Sequence, residues 1–447
     1  MPTVSALILG LMLEGEDEAA VRNARWFGLV ASLATLLLAL FIPSELQRAS
    51  ASLVFEEVRT LPLGIDYHVA ADPLSTVFVL LVAGAFPIAM LTTWTVGRDV
   101  KGIVVTLLLM EAAALGALLA QDLVLWAVAV ELPLVLLIAA RLSGVLEVSQ
   151  RAMRWCMLAL IVGLFSTIFF VAGVLSLGFG ADRSAIWAVA ESATVVTGVA
   201  AVLGGALSLS IAAKLAIFPL HAWFLGVSKS APIPLTLGLV IAMVSIGVHC
   251  VATLILPLGE LVILSWLAIA SAAYASLRAL QCHHIKQLPA WGVLIALATV
   301  VSALLHAHGP SGAGAVLLSI ALVLTFGGLA YLLAIAEART GHTLSEEFGG
   351  LIYVAPAWAA VTLIFIFMFA GLPLSGVFAG LSLSFLGLAI AAPVTAVLLA
   401  AALAAWLFGA VLMFQRMVKG PSARPAFKEL RDLGRLWVSW PRMLRCW

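Results

Sequence analysis

The side chains of this sequence that could do chemistry are few, and the best-formed group lies in KLAIFPLHAWFLGVSKSAPIP, Lys214 to Pro234. Lys214, Pro219 and His221 fall where an apolar helix should be crossing lipid. An ammonium at bilayer depth is costly, so it must face a bundle interior or a hydrated cavity and have a partner. Proline lacks a backbone donor and breaks the helix locally, which makes Pro219 the expected break. A broken helix beside a buried charge is how membrane transporters build an ion site. His221 has two open readings: a proton relay, since neutral imidazole both donates and accepts, or a partner for backbone groups that Pro219 frees. Two acids also sit inside apolar runs, Glu111 and Glu131. The plain reading of Glu111 is a hydrogen-bonded acid at a helix contact. His249 reads as a satisfied interior histidine, and Asp122 as a solvated residue at a turn.

The elements that must position these residues follow from composition. Of 447 residues 64% are apolar and 10% charged, and mean hydropathy is +1.18. That places the chain among polytopic helical membrane proteins. The net charge of +1 gives no nucleic-acid signature. Cys156, Cys250, Cys282 and Cys446 are widely spaced, without CxxC or Cys/His ligand spacing, so no metal centre or disulfide framework is expected. The N-terminus has no basic region before its apolar run and reads as a short first span, not a signal peptide.

Apolar runs bounded by charges, Gly or Pro predict an all-α fold of about thirteen transmembrane helices. They lie near 3–13, 26–43, 73–95, 102–120, 122–141, 152–177, 196–228, 232–255, 260–281, 287–306, 312–336, 354–389 and 393–417. The seventh and twelfth are long and interrupted, at Pro219 and in GLPLSG around Pro373. Such a matched pair of breaks marks an internal repeat with a site at each break. The expected organisation is N-terminal helices over 1–101, a first five-helix repeat over 102–255, an inverted second over 256–417, and a basic amphipathic tail over 418–447. With the N-terminus outside, 19 of the 23 Lys and Arg fall on the cytoplasmic side, as the positive-inside rule requires. Outside connections hold only Arg48, Arg59 and Arg183. The expected setting is a bacterial inner membrane, with the N-terminus periplasmic and the C-terminus cytoplasmic.

An ordered series of motifs resembles one family. GIDYHVAADPLSTVFVLLVAGAFPIAMLTTW (64–94), LLLMEAAALGALLAQDLVLWAVAVELPLVLLI (107–138), KLAIFPLHAWF with Ala231–Pro232, HIKQL (284–288), HTLSEEFGGL, GLPLSGVFAG and FQRMVKGP (414–421) follow the order found in the antiporter-like subunits of respiratory complex I, the subunit M branch above all. The resemblance covers most of the chain. It implies that Glu131 and Lys214 are the coupled pair of a first half-channel, and that Glu111, His221 and Lys286 lie along the proton pathway. A lone ion in an apolar surround is driven toward its neutral form, and an opposite charge nearby restores the ionised one, so a pair that opens and closes can move a proton. The alternative is a static ion pair that fixes helix packing.

The sequence also departs from the family pattern. Alignment on its motifs puts Ser245, Leu322 and Leu381 where the family carries titratable relay residues. Ser319, Thr325 and Ser375 could hold water there but carry no charge. The resemblance implies no cofactor in this chain and no redox chemistry of its own. Its partners would be other membrane subunits and the lipid bilayer, with no nucleic acid and no soluble substrate. Three functions are consistent with this: a working proton-translocating subunit of an NADH–quinone oxidoreductase, a degenerate copy that is structural or coupling, or a subunit of a related Mrp antiporter, membrane hydrogenase or bicarbonate-uptake complex.

Overall fold

A computed structural model describes residues 1–12, 18–49, 53–61, 65–146, 148–177, 182–183, 197–258, 262–306 and 309–419. The chain begins with α1 (Pro2–Met12), α2 (Glu18–Ala39) and α3 (Ile42–Ala49), then a hairpin of β1 (Val54–Leu61) and β2 (Ile65–Ala71). Four helices follow: α4 (Pro73–Thr92), α5 (Val100–Leu119), α6 (Leu123–Leu142) and α7 (Gln150–Ser176). The first broken segment is α8 (Thr197–Lys214) with α9 (Ala222–Ser230). Next come α10 (Ile233–Cys250), α11 (Val262–Leu280), α12 (Gln287–Leu305), α13 (Ser311–Thr340) and a single turn, α14 (Leu351–Val354). The second broken segment is α15 (Pro356–Phe369) with α16 (Gly376–Ala391), and α17 (Pro393–Val418) closes the described chain.

Ten of these helices are long and apolar enough to cross a membrane. Three shorter apolar helices, over 201–214, 356–369 and 376–391, belong to the two broken segments. The expected first span is an 11-residue helix; at ~1.5 Å per residue it is about half of the ~30 Å hydrocarbon thickness. The basic tail expected over 418–447 lies outside the described residues beyond 419. The hairpin is an addition to the all-α expectation. Its strands pair antiparallel, with Val58 opposite His68, and a bulge lies between Val54 and Glu57.

Helix ends follow local chemistry. Asp72 and Ser75 form a reciprocal capping box at the start of α4, with Pro73 at its first position. Ser375 caps α16 through the Phe378 N–H. Gly341, at φ 72°, ends α13 in the left-handed conformation that glycine adopts without a Cβ penalty.

The core is built around two helices. Every residue of α10 is buried, as is every residue of α12 after Gln287. α10 packs against α4 and α5 on one side and α13 on the other, so it joins the two halves. In the second half α13 and α16 approach closely, and a Cβ on Gly380 would come within 2.6 Å of Leu318 Cα. Only glycine permits that approach.

Candidate functional site

α8 stops at Lys214, and the backbone of the break is satisfied by substitution. The Ile217 N–H donates to the Ala212 carbonyl at 2.9 Å instead of continuing the helical ladder. Ala216 turns the chain with φ 51°, and the Phe218–Pro219 bond is cis. This leaves the Ala213 carbonyl without its helical donor. The Trp223 indole, from the far side of the break, donates to it at 3.0 Å. The break is thus stitched by one side chain, which meets the requirement that backbone groups in lipid be satisfied within the protein.

Lys214 Nζ lies 2.8 Å from Glu131 Oε1. Both residues are buried, at 7% and 4% exposure. Glu131 comes from the middle of α6, two residues before Pro133. Two hydroxyls complete the site. Lys214 donates to Ser210 Oγ at 2.6 Å, and at 3.3 Å to both the Ser210 carbonyl and Thr167 Oγ1. Thr167 donates to Glu131 Oε1 at 3.0 Å and also contacts the Ser210 hydroxyl. A buried pair offsets its desolvation only when such extra hydrogen bonds are present. Glu131 Oε2 has no hydrogen-bond partner among the described residues. A cavity of about 20 Å³ adjoins Lys214, between Pro133, Trp223, Ala242 and Ile246. It exceeds the ~10–15 Å³ that one water requires.

Thr167, Ser210 and Gly163 were missed by sequence reasoning. The one signal for them is spacing: Gly163 with Thr167 on α7, and Ser210 with Lys214 on α8, are i, i+4 pairs that share a helix face.

The other candidates lie elsewhere. Glu111, fully buried in α5, accepts from the Ser32 hydroxyl at 3.2 Å, and its Oε2 has no hydrogen-bond partner among the described residues. His221 occupies the position before α9 without a side-chain cap bond and stacks on Phe218, with Tyr274 edge-on at 4.8 Å and Trp291 at 6.4 Å. Its buried Nδ1 has no hydrogen-bond partner among the described residues. Lys286 precedes α12 and pairs with Glu337 near the end of α13 at 2.8 Å. Among the described residues, none of these three touches Glu131 or Lys214.

Two secondary expectations are corrected. Asp122 is buried rather than solvated, because its carboxylate caps α6 through the Val124 and Leu125 N–H groups. His249 is not a satisfied interior histidine: among the described residues neither buried ring nitrogen has a hydrogen-bond partner, and Phe78 packs edge-on against it.

The two halves differ in kind. The first buries Glu111, Gln121, Asp122, Glu131, Arg183, Lys214, His221 and His249. Beyond His249, every buried polar side chain among the described residues is a serine or threonine. Ser319 and Thr325 donate to carbonyls of their own helix, and Ser375 serves as a cap. Leu322 and Leu381 are buried in the core, and the Ser245 hydroxyl is buried without a partner. No group of three or more His, Cys, Asp or Glu among the described residues could share a metal ion.

Comparison with known proteins places this geometry. Residues 120–409 match the family described as NADH:quinone oxidoreductase/Mrp antiporter, TM. The chain is 25% identical over 396 residues to NADH-quinone oxidoreductase subunit M of Rhodobacter capsulatus, covering 83% of this chain and 76% of that one. Its fold is similar to a chain of respiratory complex I from Thermus thermophilus, with a TM-score of 0.80 at 24% identity, covering 97% of this chain and 92% of that one. It is also similar to a chain of an archaeal membrane-bound sulfane sulfur reductase, with a TM-score of 0.81 at 18% identity over 94% of this chain and 70% of that one. The matched region holds both broken segments and the buried pair, and the chain therefore belongs to the NADH:quinone oxidoreductase/Mrp antiporter family of transmembrane, antiporter-like subunits.

Proposed function

We propose that this chain is a proton-translocating-type membrane subunit of a complex I-like NADH–quinone oxidoreductase assembly. It sits in a bacterial inner membrane beside other membrane subunits, with a periplasmic N-terminus and a cytoplasmic C-terminus. The observation that carries this reading is the 2.8 Å contact between buried Lys214 and Glu131 at the end of a broken helix. Separating the pair leaves an ammonium in an apolar surround, which favours loss of its proton; closing it favours uptake. Thr167 and Ser210 guide the lysine between these positions by offering hydroxyls that both accept and donate.

The first repeat, 102–255, keeps this working pair. In the second, 256–417, Leu322 and Leu381 occupy expected relay positions, and Ser245 occupies another in the eighth span, within the first repeat. Proton transfer needs titratable groups or ordered water within hydrogen-bond reach. The hydroxyl-only interior of the second half supports reduced or absent conduction there. The subunit then acts on proton movement in its first half and on packing in its second.

The test is Lys214→Met in the assembled complex. Proton uptake coupled to turnover should be abolished; an unchanged pumping stoichiometry would overturn the reading. The likeness to the sulfane sulfur reductase chain supports a second reading, a structural or transport subunit of a related Mrp antiporter, membrane hydrogenase or bicarbonate-uptake complex. Subunits that copurify with the chain separate the two: an NADH-oxidising module supports the first, and its absence the second.

A further inference from the structure

Residues 182–183 are tied to the hairpin side of the bundle by a small irregular sheet. The Gln121 N–H donates to the His68 carbonyl of β2 at 2.9 Å, and the Arg183 N–H donates to the Gln121 carbonyl at 2.8 Å. Asp122 and Asp182 pair as an antiparallel bridge. The rim of this sheet is acidic. His68 lies between Asp182 at 3.1 Å and Glu56 at 3.0 Å. Arg183 points the other way, into the protein, and is 8% exposed.

The Arg183 guanidinium makes one side-chain hydrogen bond among the described residues, from Nη2 to the Ala117 carbonyl at 3.1 Å. Ala117 lies in the last turn of α5, so this contact is a helix cap. Capping accounts for one nitrogen of three. Nε and Nη1 are buried without hydrogen-bond partners among the described residues, and so are both nitrogens of His249. The guanidinium is close enough to His249 and Cys250 for its charge to act on both. Cys250, whose Sγ accepts from the Trp126 indole at 3.2 Å, is in turn close enough for the charge of Lys214 to act on it. α10 leaves regular geometry just past these two residues, with a π-helical turn over Val251–Ile255. Asp182 at the acidic edge acts on the buried Arg183 guanidinium, and Cys250 lies within electrostatic reach of both Arg183 and Lys214.

We infer that Arg183 is a fixed positive charge that closes the hairpin side of the Glu131–Lys214 compartment to protons and other small cations. The inference rests on the pair being the proton-handling site. A cation drawn to the acidic rim meets a guanidinium whose field is little screened, because the group is buried. Among the described residues no carboxylate lies within ion-pair distance of it; Asp72 and Asp182 act on it from farther away and offset only part of its field. The arrangement makes the compartment one-sided without moving parts.

The full chain in proteoliposomes, under a potassium diffusion potential and with a trapped pH dye, tests this. Arg183→Gln keeps a donor for Ala117 and removes the charge; it should raise the passive proton leak roughly tenfold or more, the scale of electrostatic control of ion access. Arg183→Lys should stay at the wild-type leak. Combining Arg183→Gln with Lys214→Met should return the leak to wild type, because the path runs through the lysine. An unchanged leak in Arg183→Gln, or a double variant that leaks as the single one does, would overturn the inference. Arg183→His compares one folded protein with itself, and it decides the matter even if the glutamine variant does not reconstitute. Asp72, Asp182, His249 and Cys250 face the position throughout. The leak relative to wild type should be greater at pH 8 than at pH 6, and equal ratios would overturn the barrier. Loss of the coupled-uptake effect of Lys214→Met with the leak results intact would reject the proposed function and leave the barrier standing.

Discussion

Gly163 of α7 lies directly against Lys214: a Cβ at this glycine would sit 3.3 Å from Nζ and 3.5 Å from Glu131 Oε2. The helix face that supplies Thr167 therefore needs an absent side chain one turn earlier. Gly163→Ala should be tolerated, with the lysine tip shifting by a few tenths of an ångström. Gly163→Leu should hold the pair apart and reduce coupled proton uptake to the level of Lys214→Met. Proton-to-electron stoichiometry in the assembled complex measures this, and normal stoichiometry in the leucine variant would remove the pair from the mechanism.

The pair also has a stability signature. Breaking a buried pair by removing one member leaves an uncompensated charge, at a cost of about 3–5 kcal/mol. Lys214→Met alone should lower the thermal midpoint strongly. Adding Glu131→Gln should recover most of the loss, since both charges are then gone. Thermal unfolding of the purified protein in detergent reads the cycle, and additive losses would mean that the two residues act independently.

Trp223 joins the two sides of the first break. Trp223→Phe keeps an aromatic ring, though a smaller one, and strands the Ala213 carbonyl, which should cost ~1–3 kcal/mol. The loss should appear in the unfolding midpoint. A midpoint equal to wild type would show that the carbonyl has another donor.

Leu322 and Leu381 are packing residues in this reading. Each is buried, and Leu381 reaches across the second break toward Gly371. Truncation of either to alanine should destabilise by ~2–5 kcal/mol. Coupled proton stoichiometry in the surviving complex should not change. A fall in stoichiometry without loss of stability would return these positions to the pathway.

Cys282 lies past the end of α11, where burial pushes its thiol up to about 11. The thiolate is the reactive form, so alkylation of Cys282 in the folded protein should be slow at pH 8. The rate should climb with pH until about 11. Labelling at the rate of a free thiol at pH 8 would show that the site is open.

Much of this fold can be read in the sequence because lipid imposes strong rules. Apolar runs, Pro219 and GLPLSG locate the helices and both breaks. Charge in an apolar run singles out Glu131 and Lys214. The rest depends on tertiary contact. VFEEVRTL has no clean alternation, so β1 shows no strand pattern. Arg183 reads as one more charge in an exposed connection, and only its pairing with Gln121 turns it inward. Thr167 and Ser210 are two hydroxyls among dozens, and nothing but the folded position of Lys214 distinguishes them. Asp122 has the type and place of a helix cap, yet only the fold shows that the capping carboxylate is buried.

The bridge between Asp122 and Asp182 also sets an order of assembly. β2, the turn at 120–122 and the segment at 182–183 meet in one small sheet, but the chain delivers them far apart. Synthesis proceeds from the N-terminus. The hairpin must therefore wait, half-paired, while α6 and α7 cross the bilayer and return residue 183 to its side. Only then is the carbonyl end of α5 capped. The sheet is a closing seam, and its completion reports that four consecutive helices have been threaded in the correct sense.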